Sequence, residues 1–134
     1  MHKGIADMQK VKLFALALLT LAAVAGAGLL AAGQKEKPKY TIKEVMEKAH
    51  DGDDALVKKV IKGTADKKEK EQLLEMYVAL GKNKPPKGSD ADWKKKVDAL
   101  IAAEKAVVEN KEGATKSLQK AVTCKACHLA HKGD

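Results

Sequence analysis

Apolar residues recur every three and four positions through most of the chain after residue 40, which is the spacing of a buried helix face. The first such segment opens with Thr41 and Glu44 in the order of a capping box, and Gly63 follows its end. We predict one helix over about residues 41–62. Its buried face carries Ile42, Val45, Met46, Ala49, Leu56, Val60 and Ile61.

The same spacing predicts three further helices. The second covers about residues 66–81, the third about residues 89–109, and the fourth runs from about Ala114 into the C-terminal segment. Pro85 and Pro86 mark an exposed loop between the second and third helices. No stretch alternates with period two, so strands are not expected. We therefore predict an all-α fold, an antiparallel up-down-up-down four-helix bundle whose first and last helices lie side by side.

The N-terminal segment has a different pattern. Residues 1–12 carry three lysines, and residues 13–33 carry no charge and are rich in leucine, alanine and glycine. This order is typical of an export signal, and the apolar stretch is also long enough to be an uncleaved membrane anchor. We predict a signal peptide or anchor over 1–33, a linker over 34–40 and the bundle domain over 41–134. The bundle is then periplasmic, with membrane contact only through the N-terminal segment.

The charge balance indicates the kind of partner. The chain has 26 lysines, no arginine and 18 acidic residues, for a net charge of +8, of which the first 33 residues supply +2. A moderately basic surface favours docking to an acidic protein partner through long-range attraction. Nucleic acid is not an expected partner, because the lysines are interspersed with acids and arginine, the usual reader of bases, is absent.

The only two cysteines stand together near the C-terminus, in Cys124-Lys125-Ala126-Cys127-His128. Two thiols at this spacing can add to the two vinyl groups of one porphyrin, while the adjacent imidazole reaches the iron. We therefore predict one covalently attached haem c, held by Cys124 and Cys127, with His128 as an iron ligand.

The same residues admit other chemistry. Zinc has four potential ligands within one short stretch, namely Cys124, Cys127, His128 and His131. On one helix, however, the side chains at 127 and 128 diverge by about 100°, which hinders their closing on one ion. A thioredoxin-like site needs a βαβ pattern that is missing here, and a disulfide or two free thiols is the remaining alternative. We expect His131 at the surface, because His128 already occupies the position that faces the iron.

With this motif on the last of four helices, the chain resembles the class II c-type cytochromes, cytochrome c′ and its low-spin relatives, over about residues 41–132. The resemblance rests on the terminal motif followed by Lys132, and on Met46 in the first helix. The family usually has arginine where this chain has Lys132, and often has arginine where it has Ile42, four residues before the methionine. The resemblance implies a homodimer formed through the first two helices.

Two residues of the first helix are candidates for the sixth iron ligand. Met46 lies nearer the centre of the apolar face than His50, one turn later. Ligation by Met46 gives a low-spin iron of raised potential, suited to electron transfer, whereas ligation by His50 gives a lower potential. Without a protein ligand, the iron would be open to a small gas such as NO or CO. Apart from haem, Met46 would be a core filler and His50 a half-buried flank residue.

We therefore expect an exported electron carrier that works between redox partners. A gas-binding cytochrome c′-like protein is the alternative, and a zinc-binding structural protein is less favoured. No cluster of acid, base and nucleophile accompanies the motif, so we do not expect an enzyme. Met76, in the second predicted helix, is expected to be a packing residue.

Overall fold

The computed structural model describes residues 36–134, and every regular element in that range is helical. The predicted all-α class is therefore confirmed for this part of the chain, while the predicted signal or anchor over 1–33 lies outside the described residues. None of the helices described here combines the length and the apolarity needed to cross a bilayer. The elements are α1 (Ile42–Val45), a π-helical segment (Met46–His50), α2 (Leu56–Lys62), α3 (Lys67–Lys82), α4 (Asp90–Val108), α5 (Ala114–Ala121) and α6 (Cys124–His131).

Several helix ends follow the predicted signals. Thr41 and Glu44 exchange backbone and side-chain hydrogen bonds in a capping box at α1, with N–H···O distances of 2.8 and 3.2 Å. Asp66 and Glu69 form a second capping box at the start of α3. Gly63 ends α2 with a left-handed φ of 75°, a conformation that glycine adopts without steric cost.

The prediction of one unbroken helix over 41–62 was wrong. The π-helical segment stops at Asp51, whose backbone is extended, and Gly52 has a left-handed φ of 77°. Residues 51–54 have the sequence Asp-Gly-Asp-Asp, which favours a turn because short acidic side chains bond to nearby backbone and glycine accepts positive φ. The apolar residues on both sides of this turn keep the same phase, so periodicity does not reveal the break.

The fourth predicted helix is also divided. Val122 and Thr123 leave the helical region, with ψ values of 77° and 68°, so that α5 ends and α6 begins at Cys124. Both residues are β-branched, and such side chains lose rotamer freedom in a helix. Because of this break, α6, which carries both cysteines, runs in a different direction from α5. Helix α6 packs against α4.

The helices form a helical bundle around one apolar core. Helix α4 packs against α3 and α5, and α2 packs against α3, α5 and the π-helical segment. Met76 is 1% exposed, which confirms its predicted packing role. The largest fully buried apolar side chains are those of Tyr77, Leu73, Met76, Leu80, Leu118, Val45, Val60 and Val97.

His131 fixes the end of α6 to the bundle. The residue is 2% exposed, and its Nδ1 and Nε2 lie 3.1 Å from the Lys87 carbonyl oxygen and 2.8 Å from Asp92 Oδ2. Both partners are acceptors, so a proton on either ring nitrogen is donated to the group that this nitrogen faces. Hydrogen bonds from Lys96 and His131 hold the pKa of Asp92 below its usual value. The expected surface position of His131 was wrong, because partners distant in sequence and the edge of the Trp93 ring bury it.

Glu104 is a buried acid in α4. It is 0% exposed, and neither carboxylate oxygen has a hydrogen-bond partner in the protein. Burial raises the pKa of Glu104 to about 7, against the attraction of Lys70, which lowers it. The Tyr77 hydroxyl is likewise buried without a partner, and its pKa is raised by burial and then by the charge of Glu104.

Glu104 should make the stability of the fold depend on pH. Its pKa is about 7 in the folded chain, above the ordinary 4.5, so the unfolded chain loses this proton first as the pH rises. The free energy of unfolding is therefore undiminished below about pH 4.5 and falls by roughly 3 kcal/mol up to about pH 7. Glu104→Gln should remove this fall in urea unfolding at a series of pH values. The exposed Glu112→Gln should follow the wild type, and equal pH profiles for wild type and Glu104→Gln would contradict the assignment.

Removal of the His131 ring should loosen α6. His131→Leu loses one bond to a carbonyl and one to a carboxylate, so the free energy of unfolding should fall by about 2 to 4 kcal/mol. Hydrogen exchange should accelerate at the amides of Cys127 and Lys132, which donate within the helix over 3.0 Å. Leu129→Ala is the control, since Leu129 is 71% exposed and its truncation should change stability by less than about 0.5 kcal/mol. Unchanged exchange in His131→Leu would mean that other contacts hold the helix.

Candidate cofactor site

The cysteine motif lies on an apolar cleft between α6, α4 and the π-helical segment. This first cleft has a cavity volume of about 60 Å³ and an almost wholly apolar lining. The structure brings all five candidate residues, with His50 as the alternative to Met46, to the lining of this cleft: Met46, His50, Cys124, Cys127 and His128. Leu80, Val97 and Leu100 add apolar surface from α3 and α4.

A second cleft adjoins the first on the side of the chain end. It has a cavity volume of about 270 Å³ and is lined by Ile42, Trp93 and His131 among others. Three residues line both clefts, and they are Met46, Cys127 and His128. The first helix and α6 therefore face each other at the place where the two clefts adjoin, with Met46 on one side and the motif on the other.

The two cysteines are free thiols. Cys124 is exposed and Cys127 is half-buried. Burial raises the pKa of the Cys127 thiol, with a smaller opposing effect from the ammonium of Lys96. Both sulfurs remain available for covalent attachment to a ligand in the first cleft.

His50 has the chemical properties of a metal-binding histidine. Its Nε2 atom is buried without a hydrogen-bond partner in the protein, and its ring centroid lies 5.7 Å from that of Tyr77. Burial, and secondly the charge of His128, lower the pKa of His50 to about 4. At neutral pH its ring is therefore neutral and carries a free lone pair, the form that binds metal ions. The influence of His128 also places the two imidazoles within electrostatic reach of each other.

The backbone that carries Met46 and His50 is unusual. The Asp51 amide donates to the Met46 carbonyl over 3.0 Å, which closes a π-helical turn across five residues. Such turns often occur at functional sites, because the wider turn changes the angle between successive side chains. The apolar spacing of the sequence gives no sign of this turn, and a regular helix was predicted there.

The sequence pattern made His131 a potential zinc ligand, but in the structure both of its ring nitrogens form hydrogen bonds with other residues. They contact Lys87 and Asp92, away from the two cysteines. Within residues 36–134, no three histidine, cysteine, aspartate or glutamate side chains are arranged to hold one metal ion. The role of His131 in positioning α6 was missed because its partners come from the loop before α4 and from α4 itself.

The residues of the first cleft suit a haem. The apolar lining of the cleft matches the apolar face of a porphyrin. Cys124 and Cys127 supply thiols at the attachment spacing, and His128 is exposed beside them. The unpartnered nitrogen of His50 and the thioether of Met46 are the two groups of the first helix that could bind an iron in the cleft.

The surface around the motif is basic. Residues 114–133, which include α5 and α6, contain four lysines and no acidic residue. Lys125 and Leu129 are both exposed on α6. This region therefore presents positive charge beside an exposed apolar side chain.

Comparison of the chain with models of protein families, with curated proteins and with solved structures found no match.

Proposed function

We propose that the chain is an exported monohaem c-type cytochrome that carries electrons between redox partners. The observation that supports this most strongly is that Met46 and the motif residues line one apolar cleft, although they lie far apart in sequence. Cys124 and Cys127 would hold the porphyrin through thioether bonds, and His128 would bind its iron. A bound haem supplies reversible one-electron chemistry, and the side chains of the cleft shield it from water.

Met46 is the preferred sixth ligand. It lines both clefts together with Cys127 and His128, whereas His50 lines the first cleft only. Met46 would therefore be the residue of the first helix that shares most of the lining with His128, and its thioether would bind the iron of a haem held there. A thioether ligand favours the reduced iron and raises the potential, while ligation by His50 would lower it.

The proposed architecture is an antiparallel up-down-up-down four-helix bundle, as in the class II c-type cytochromes that the sequence resembles. The first member would be α1 together with α2, the second α3, the third α4, and the fourth α5 together with α6. The packing of α4 between α3 and α5, and of α2 against α3 and α5, supports this grouping. The cofactor cleft then separates the first and last members at one end of the bundle.

The proposed partner is an acidic redox protein in the periplasm. The four lysines of residues 114–133 would attract it, and the exposed Leu129 offers an apolar contact close to His128. Electron transfer between such proteins needs brief encounters, which charge attraction accelerates without requiring high affinity.

A gas-binding protein is the second candidate, and the second cleft is the observation that favours it. Ile42, Met46 and Trp93 give that cleft an apolar lining beside the motif. If Met46 does not bind the iron, this space would admit a small diatomic ligand. The state of Met46 therefore distinguishes the two functions.

Haem attachment can be tested on the full chain, produced with bacterial cytochrome c maturation factors. We expect a coloured protein whose mass exceeds that of the polypeptide by one haem, because both thiols are free at the attachment spacing. Cys124→Ala should leave one thioether, which the α band of the pyridine derivative detects, and Cys124→Ala with Cys127→Ala should leave none. A pale protein at the mass of the bare polypeptide would end the proposal.

The sixth ligand can be identified with two variants of the first helix. Met46→Ala should convert the low-spin iron to a high-spin form, admit CO, and lower the reduction potential by on the order of 0.1 V or more. His50→Ala, in the same segment, is the matched control and should keep the low-spin spectrum. The opposite pattern would assign the sixth position to His50. A high-spin wild type that binds CO and is unaffected by Met46→Ala would support the gas-binding protein instead.

A further inference from the structure

We infer that Glu104 is an internal proton-binding site coupled to the charge held in the first cleft, so that electron transfer by this chain is accompanied by proton uptake. The inference rests on the proposed function, and its ligand is the proton. No step assigned to the motif residues requires Glu104, which lies outside both clefts.

The position of Glu104 brings it close to the cofactor site. Leu100, which lines the first cleft, is one helical turn earlier on α4, so the two side chains lie on one face about 6 Å apart along the axis. Tyr77 lies across from them on α3, beside His50 and within electrostatic reach of Cys124. One buried phenol thus lies between the acid and two residues of the cleft.

The surroundings of Glu104 favour neither its protonated form nor its ionised form strongly near neutral pH. Among the described residues, the charge that acts on it is that of Lys70 on α3, and the Lys70 ammonium lies 3.4 Å from Asn110 Oδ1. Tyr77, also on α3, is uncharged at neutral pH, since burial raises its pKa. Helix α5 contributes buried apolar side chains at Ala114 and Leu118.

This balance has a simple physical cause. An ionised carboxylate without a hydrogen-bond partner is costly inside a protein, while one distant cation offsets only part of that cost. The proton on Glu104 is therefore bound neither tightly nor weakly near neutral pH. A single extra charge nearby is enough to change its occupancy.

The coupled step conserves charge and atoms. If a haem held in the first cleft took one electron from a redox partner, the interior would gain one negative charge, and Glu104 would bind up to one proton from solvent at a carboxylate oxygen. One O–H bond forms, and it breaks again when the electron leaves. By linkage, the bound proton favours the reduced state, so the reduction potential is higher at low pH and falls as the pH rises through the range near 7.

The test is a spectroelectrochemical titration of the complete haem-loaded protein over about pH 5 to 9. One pH unit is a tenfold change in proton concentration, so the potential should fall by at most about 59 mV per unit in the steepest region. Glu104→Gln should flatten this region, whereas Glu112→Gln should titrate like the wild type. The haem propionates and the histidines contribute equally to the pH dependence of the reduction potential in all three proteins. The difference between the slopes therefore reports the contribution of Glu104.

A second measurement needs no variant. The infrared difference spectrum between reduced and oxidised wild type, recorded with ¹³C-labelled glutamate, should gain a band of a protonated carboxylic acid on reduction. Equal pH slopes in wild type and Glu104→Gln, or the absence of an isotope-sensitive carboxyl band, would overturn the inference in a protein that still contains haem. A colourless protein would overturn the proposed function, and this inference with it.

Discussion

The hydrogen-bonded contact between His131 and Asp92 is the interaction on which the position of α6 and of the candidate site depends. Helix α6 is short, lies at the end of the chain and packs mainly on α4. Its C-terminal turn is fixed because the His131 ring bridges the loop before α4 and the first turn of α4. Gly88 permits this approach, since a Cβ there would lie 2.6 Å from the Ala130 carbonyl oxygen. This contact adds to the packing of Cys127 against the core in setting the position of the motif.

Several polar groups also lie in the interior of the bundle, at positions where apolar groups would pack better. His50, Tyr77 and Glu104 each have a buried polar atom without a hydrogen-bond partner in the protein. Such groups reduce stability by amounts that a small domain can tolerate only in low numbers. They are grouped between the cleft and the core, with Tyr77 beside His50 and within electrostatic reach of Glu104. Local departures from good packing are expected at functional sites.

Much of the helical arrangement was predictable because short-range chemistry determines it. The capping boxes at Thr41 and Asp66, and the left-handed Gly63, each depend on residues within one turn. The candidate site was predictable for a similar reason, since covalent attachment needs Cys124 and Cys127 at one spacing. The breaks at residues 51–55 and 122–123 were not predicted, because the apolar residues on either side keep the phase of a continuous helix.

The sequence by itself determined the helical class and the residues proposed to attach and ligate a haem, because both depend on spacing along one segment. Only the tertiary structure decided which side chains meet across segments. It placed Met46 and His50 opposite the motif, buried His131 against Asp92, and enclosed Glu104 beside Tyr77. These contacts arise from the packing of helices distant in sequence, and burial and partner identity are properties of that packing.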